Sequence, residues 1–299
     1  MATTTTTAPS TLMASSSGRK TRNTLAGIAM YACFFIAIVP LAWILWTLVS
    51  RGLGLLLDTT WWTNSQRGIT ARREGGGAYH AIIGTLLMAL TTAVIAVPLG
   101  VGTAIYLVEY GRGRIARGVS FMVDVLTGVP SIVAALFIYA VWIGTFGFHR
   151  VGFAVALALV LLMIPVIVRS TEEMLRLVPR DLREASLALG VPRWKTIVSI
   201  VLPTAFSGIV TGVMLGLARV MGETAPLLIL GPYAKAINTN LFDGNMAALP
   251  TMINQDRVEA LQPAVDRVWA AALTLIIVVM VLSLIGRLVS RFGTIKSTR

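Results

Sequence analysis

Long uncharged apolar runs alternate along this chain with short polar segments that hold nearly all of its charge. The first run, Leu25 to Val49, carries no charged residue over 25 positions. At about 1.5 Å per residue, a helix of that length crosses a hydrocarbon core of roughly 30 Å. Further runs at 81–108, 119–144, 151–168, 203–231 and 268–286 bring the expected number of membrane-spanning helices to six. Small residues in the second run (Gly84, Thr85, Thr91, Thr92, Gly100 and Gly102) suit close helix packing in lipid. Gly128, Pro130 and Ser131 interrupt the third and mark a place where its backbone can kink.

The segments between the runs read as loops and tails. Residues 1–24 are rich in Thr and Ser, end on Arg19, Lys20 and Arg22, and are expected to form a disordered tail. The first run is longer than the roughly 7–15 residues of a signal-peptide core, so it is expected to stay attached as a span. A single membrane domain is expected over 25–290, with a second tail at 291–299. Residues 50–79 read as a loop with an interfacial aromatic pair, Trp61-Trp62.

Composition agrees with a membrane bundle. Hydrophobic residues make up 56% of 299, charged residues only 13%, and the mean hydropathy is +0.80. That is too apolar for a soluble domain and too poor in charge for a disordered one. The net charge of +12 would suggest nucleic acid in a soluble chain, but no aromatic and basic residues interleave as a stacking platform. With six spans, sixteen of the 25 Lys and Arg fall on the side of the termini and eight on the other, with Arg219 inside a span. The positive-inside rule then puts both termini in the cytoplasm. Cys33 is alone, and His80 and His149 sit far apart at span edges, so no disulfide, zinc site or redox pair is expected. No phosphate-binding GxxxxGK[ST] loop occurs, so this chain is not expected to bind or hydrolyse ATP.

Between the fourth and fifth runs lies a distinctive polar-edged segment, Glu184 to Pro203. Leu182, Ala185, Ser186 and Leu189 share one face of a short helix that follows Pro179 and carries Asp181 and Glu184 early. Gly190 is placed to stop it in a left-handed cap, and Pro192 keeps it from resuming. A helix–turn–helix that merely joins two spans would satisfy these signals.

Two arginines lie where cations are costly. Arg219 falls about sixteen residues into the fifth run, near mid-helix, with Glu223 one turn on. Arg169, at the end of the fourth run, has Glu172 at i+3 and Glu173 at i+4. Both could be neutralised structural ion pairs. Alternatively they are way-stations for an anion, since a guanidinium binds oxyanions through a planar fork and stays charged.

Glu184, Ala185, the small Ser186, Gly190, Ile200, Leu202 and Pro203 resemble the EAA loop of ABC importer permeases, with Ser where Ala is usual at 186. Leu217-Ala-Arg-Val-Met-Gly-Glu-Thr-Ala-Pro226 is similar to the LARAxGETAP segment of the PstA family of phosphate permeases. Residues 96–100, 104–110, 128–133 and 169–188 resemble the same family, so the likeness runs from about Tyr79 to Arg287. It implies an all-α integral membrane protein with the type I (MetI-like) permease fold, in the bacterial inner membrane. It also implies a substrate pathway at Arg169, Arg219, Glu173 and Glu223. Coupling to an ATPase would fall to Glu184, Ala185, Ser186, Gly190, Val191, Pro192 and Arg193, with Ala185 and Ser186 forming a small face for close approach. The implied partners are a second permease (PstC-like), a cytoplasmic ATPase dimer (PstB-like) and an extracytoplasmic phosphate-binding protein (PstS-like), which the loop 232–267 is placed to meet. The chain itself would be no enzyme and would bind no cofactor, with ATP and Mg on the ATPase. A permease for sulfate or molybdate, an ion-driven secondary transporter and a membrane scaffold remain alternatives at this stage.

Overall fold

A computed structural model describes residues 17–293 of the chain, and all regular structure among them is helical. The outer parts of both expected tails, 1–16 and 294–299, lie outside the described residues. The described residues up to Val49 form one unit and those from Ser50 onward another.

The first helix, α1 (Ser17–Leu56), is longer at both ends than the run that predicted it. Residues 17–24 are therefore helical and not part of a disordered tail. Once the apolar stretch is helical, each added residue costs little, and Arg and Lys are good helix formers. Its apolar side chains, among them Tyr31, Phe34 and Trp43, are exposed, as in a helix whose solvent is lipid.

In the second unit, α2 (Thr59–Thr63) is a single turn capped by Asp58, whose carboxylate accepts from the Thr60 amide and is held below the usual carboxylate range by that bond. The spans are α3 (Tyr79–Tyr110), the pair α4 (Gly113–Gly128) and α5 (Ser131–Thr145), α6 (Gly152–Leu177), α8 (Arg193–Met221) and α11 (Gln262–Gly293). Between them lie α7 (Arg180–Ala188), α9 (Ala225–Leu230) and α10 (Leu249–Asp256).

The expected third span is not one straight helix. Its two halves bend by 108° at Val129-Pro130, where the proline lacks an amide to continue the ladder. The pair nevertheless carries the chain across. Thr92 of α3 donates to the Ala156 carbonyl of α6 at 3.3 Å, Gly100 backs onto Ile167, and Glu109 meets Arg183 beyond the end of α6, so α3 and α6 run parallel. Parallel neighbours require the chain to return between them. Along α6 in the opposite sense, Asp124 meets Arg169, Val129 and Val133 lie by Leu161 and Leu162, and Trp142 packs on Phe153. The described residues thus hold five helices long and apolar enough to cross a membrane, and up to six crossings with the bent pair counted as one.

Helix α6 is the axis of the core, with Val155, Leu159, Met163, Ile167 and Val168 fully or almost fully buried. Helix α8 packs against it antiparallel through Gly208, Gly212 and Gly216, one turn apart. A Cβ at the first two would run into Met174 and Ser170. This small-residue stripe lets two backbones approach closely in lipid.

The fifth span departs from expectation at both ends. It starts at Arg193 and not at Pro203, through a widened turn at 197–201, and stops at Met221 and not near Gly231. Thr224-Ala-Pro226 then starts α9, with proline in its first turn, where no intrahelical amide bond is lost.

The ends of the spans remote from α7 are tied together by a buried polar network. Arg267 donates to Asp256 at 3.1 Å, and Gln66 donates to the same carboxylate oxygen at 2.9 Å. Tyr233 donates to the Gln66 carbonyl at 2.7 Å, and His80 lies 3.3 Å from the phenol oxygen. Burial, reinforced by the Asp256 charge, pushes the Tyr233 phenol up and keeps it a donor. His80 is thus a core residue and not an ordinary interfacial one. The loop 232–267 is in part built into the fold, through this network and α10.

Candidate functional site: three arginine centres along one helical axis

Arg169 lies on α6 one turn before Glu172, and the helix spacing brings their side chains together at 2.6 Å. Its other terminal nitrogen donates to Asp124 at 2.5 Å and to the hydroxyl and carbonyl of Ser120 at 3.0 and 3.1 Å, all on α4. Glu172 also accepts from Arg176 at 2.5 Å. The cluster therefore alternates charge along α6, with Asp124 added from α4. Glu173 does not take part: one residue on from Glu172, it points out of the bundle and is exposed. Asp124 fills the place expected for Glu173, because α4 runs beside this end of α6.

Arg219 occupies the last turn of α8, two residues before the helix ends, and not the middle of a span. Its neighbours Val220 and Met221 are buried beside Leu159, while the Arg219 side chain is 54% exposed. Glu223 is one turn on, as the sequence spacing implies, at 3.8 Å from Nε. That is an ion-pair distance beyond hydrogen-bond reach. Since Arg219 lies near the level of Leu159, the two arginines are separated by about ten residues of α6, or about 15 Å along the axis.

The third centre is the short helix α7 beyond α6 and the turn that follows it. Gly190 has φ +77°, the left-handed conformation that ends α7 without a Cβ penalty. The Val191 amide donates to the Ser186 carbonyl at 3.2 Å, and the Pro192 carbonyl accepts from the amides of Lys195 and Thr196. Ser186 is buried, its hydroxyl 2.8 Å from that of Thr196. It therefore locks α7 onto the start of α8 and is unavailable as an outward small face, whereas Ala185, Glu184, Pro192 and Arg193 are exposed. Leu182 and Leu189 are exposed on the same side as Ala185, with Leu189 at 84%.

What holds this segment to the bundle was not visible in local spacing. Arg183 of α7 donates from Nε to Glu109 of α3 at 3.0 Å, with a terminal nitrogen 2.9 Å from the same carboxylate oxygen, and donates to the Val178 and Leu175 carbonyls at 2.6 and 2.8 Å. Both side chains are largely buried, Glu109 at 6% and Arg183 at 17% exposure. Each of the three guanidinium nitrogens thus has an acceptor from the protein, as a buried charge requires.

The chain is thus an all-helical bundle with a bent third crossing, an arginine cluster on its central helix and an exposed turn beyond it. The description "binding-protein-dependent transport system inner membrane component" matches residues 96–292. The chain belongs to that family and is a multi-pass inner-membrane transport subunit rather than an enzyme.

Among relatives, it is 54% identical over 276 residues to phosphate transport system permease protein PstA 1 of Mycobacterium tuberculosis, covering 92% of this chain and 91% of the other. It is 54% identical to PstA of Mycobacterium leprae over 90% and 88% of the two chains. With PstA of Pasteurella multocida it shares 37% over 90% and 95%. The fold resembles the inward-facing MetNI methionine ABC transporter (TM-score 0.57, 20% identity, 73% of this chain and 94% of that one). It also resembles a bacterial ABC transporter that imports the polysaccharide alginate (TM-score 0.58, 16% identity, 94% and 100%). These confirm the type I permease fold implied by the sequence.

Proposed function

We propose that this chain is the permease subunit of an ATP-driven phosphate importer, one half of the translocation pathway. The observation that carries the reading is its similarity, over nearly its whole length, to PstA phosphate permeases. Arg219 supports it from the geometry. An exposed guanidinium whose carboxylate partner stands at 3.8 Å has a fork free for an oxyanion, and Glu223 holds it when no anion is there. Arg169 is the second station, about 15 Å further along the axis. There Asp124 and Glu172 compete for the guanidinium, so an arriving anion is held weakly enough to leave.

Two such subunits, this one and a PstC-like partner, form the conduit. A PstB-like ATPase dimer, which holds ATP and Mg, docks on the exposed face of α7 and its turn, formed by Glu184, Ala185, Leu189, Gly190, Pro192 and Arg193 with the half-buried Val191 between them. An even number of crossings and the excess of Lys and Arg on this side support a cytoplasmic position for both termini and this turn. A PstS-like binding protein delivers phosphate on the opposite side, beside loop 232–267.

The test is uptake of labelled phosphate into vesicles that contain the complete importer. Uptake requires ATP hydrolysis, is inhibited by unlabelled phosphate, and withstands excess sulfate or molybdate. Competition by sulfate or molybdate instead reassigns the substrate. Uptake that follows an ion gradient without ATP rejects the importer assignment.

A further inference from the structure

Beyond the Arg169 cluster, at the junction of α3, α6, α7 and α8, lies a polar cavity of about 690 Å³. Arg112, Arg176, Arg180 and Arg193 line it, and Leu107 and Val108 at the end of α3 contribute apolar wall. Its charges do not balance. Glu109 is taken up by Arg183, and Arg176 shares Glu172 with Arg169. Arg112, Arg180 and Arg193 form no ion pair among the described residues and face a single further carboxylate, Glu184. Arg193 is steadied by Tyr110, whose ring centre lies 5.3 Å from the guanidinium carbon. The buried Glu109–Arg183 pair holds the α7 wall against the α3 wall, so the cavity is framed without help from the unpaired arginines. Like charges gathered in one recess repel until an anion joins them, and guanidinium forks match a phosphate group bidentately.

We propose that Arg112, Arg180 and Arg193 form a second oxyanion site, one that takes a phosphate group at the α7 end of the bundle. The site lies where the apolar spans α3 and α6 give way to charged residues. An anionic phospholipid fits it with its head group on the arginines and its first methylenes along Leu107 and Val108. Free inorganic phosphate has the same chemistry and is the other source. The site is apart from Arg169 and Arg219, shares Arg193 with the proposed ATPase-docking face, and does not depend on which substrate the importer carries.

Binding without transport tests it. The complete importer is placed in phosphatidylcholine nanodiscs with increasing phosphatidylglycerol, and retained phosphatidylglycerol is counted by native mass spectrometry. A second arm titrates inorganic phosphate into the detergent-solubilised complex without ATP. The double variant Arg112→Gln/Arg180→Gln is expected to bind about thirtyfold more weakly, at the usual contribution of a basic residue near a membrane surface. Arg112→Lys/Arg180→Lys keeps the charge and stays within a few-fold of wild type, which separates loss of the site from loss of the fold. Phosphatidylglycerol that millimolar phosphate does not displace identifies the lipid as occupant. Phosphate binding that vanishes only in the Gln pair identifies the free ion. Equal binding of both probes by wild type and the Gln pair overturns the proposal. So does a wild type that binds neither while the Gln pair sheds the ATPase, since the arginines would then be a protein-docking surface.

Discussion

Arg183 and Arg219 are both arginines with a carboxylate partner, yet the protein treats them in opposite ways. Arg183 is largely buried, and its donors are spent on Glu109 and two backbone carbonyls. Arg219 is half exposed, with one carboxylate at a distance too long for a hydrogen bond. Arg169 lies between them, bound to two carboxylates and a serine while 31% exposed. A fully satisfied guanidinium is part of the frame, whereas one with unspent donors is available to a ligand. The series therefore ranks the arginines by how fully the protein spends their donors, and each step can be tested by the stability of the assembled complex.

The largest loss is expected for Arg183→Gln, which leaves Glu109 buried without its cation. It should cost about 3 kcal/mol, seen as a lowered midpoint of thermal inactivation in detergent. Arg169→Gln should cost about 1–2 kcal/mol, because Arg176 still neutralises Glu172. Gly190→Ala should cost about 1 kcal/mol, through left-handed backbone strain in an otherwise open position, and should loosen ATPase retention on affinity beads. Arg219→Gln should lie within about 0.5 kcal/mol of wild type, since it removes one long contact. If Arg219→Gln proved as destabilising as Arg183→Gln, the ranking would collapse.

The sequence made part of this legible. Runs of apolar residues locate every span, and the Gly128–Ser131 interruption locates the break in the third, because burial in lipid leaves a long one-dimensional signal. Gly190 was legible for a different reason: a glycine followed closely by proline has few ways to end a helix. Helix ends were less visible, as Ser17, Arg193 and Met221 illustrate, since a helix continues into polar residues where packing allows. Contacts between distant segments left no local trace. Asp124 reaches Arg169 from 45 residues away and Glu109 reaches Arg183 from 74, whereas i+3 and i+4 spacing pointed to Glu172 correctly and to Glu173 wrongly. The glycine stripe 208–212–216 was a readable signal for the α6–α8 contact, because only small residues recur there at every turn.

The most direct test of the account is ATP-driven phosphate uptake per assembled complex, measured for wild type and Arg219→Gln at matched membrane levels. The account predicts a variant that folds and assembles like wild type yet takes up phosphate about 10- to 100-fold more slowly, the loss of one charge-assisted contact to an anion. Undiminished uptake by the folded variant would contradict it, and would leave Arg219–Glu223 as no more than an ion pair at the end of a helix.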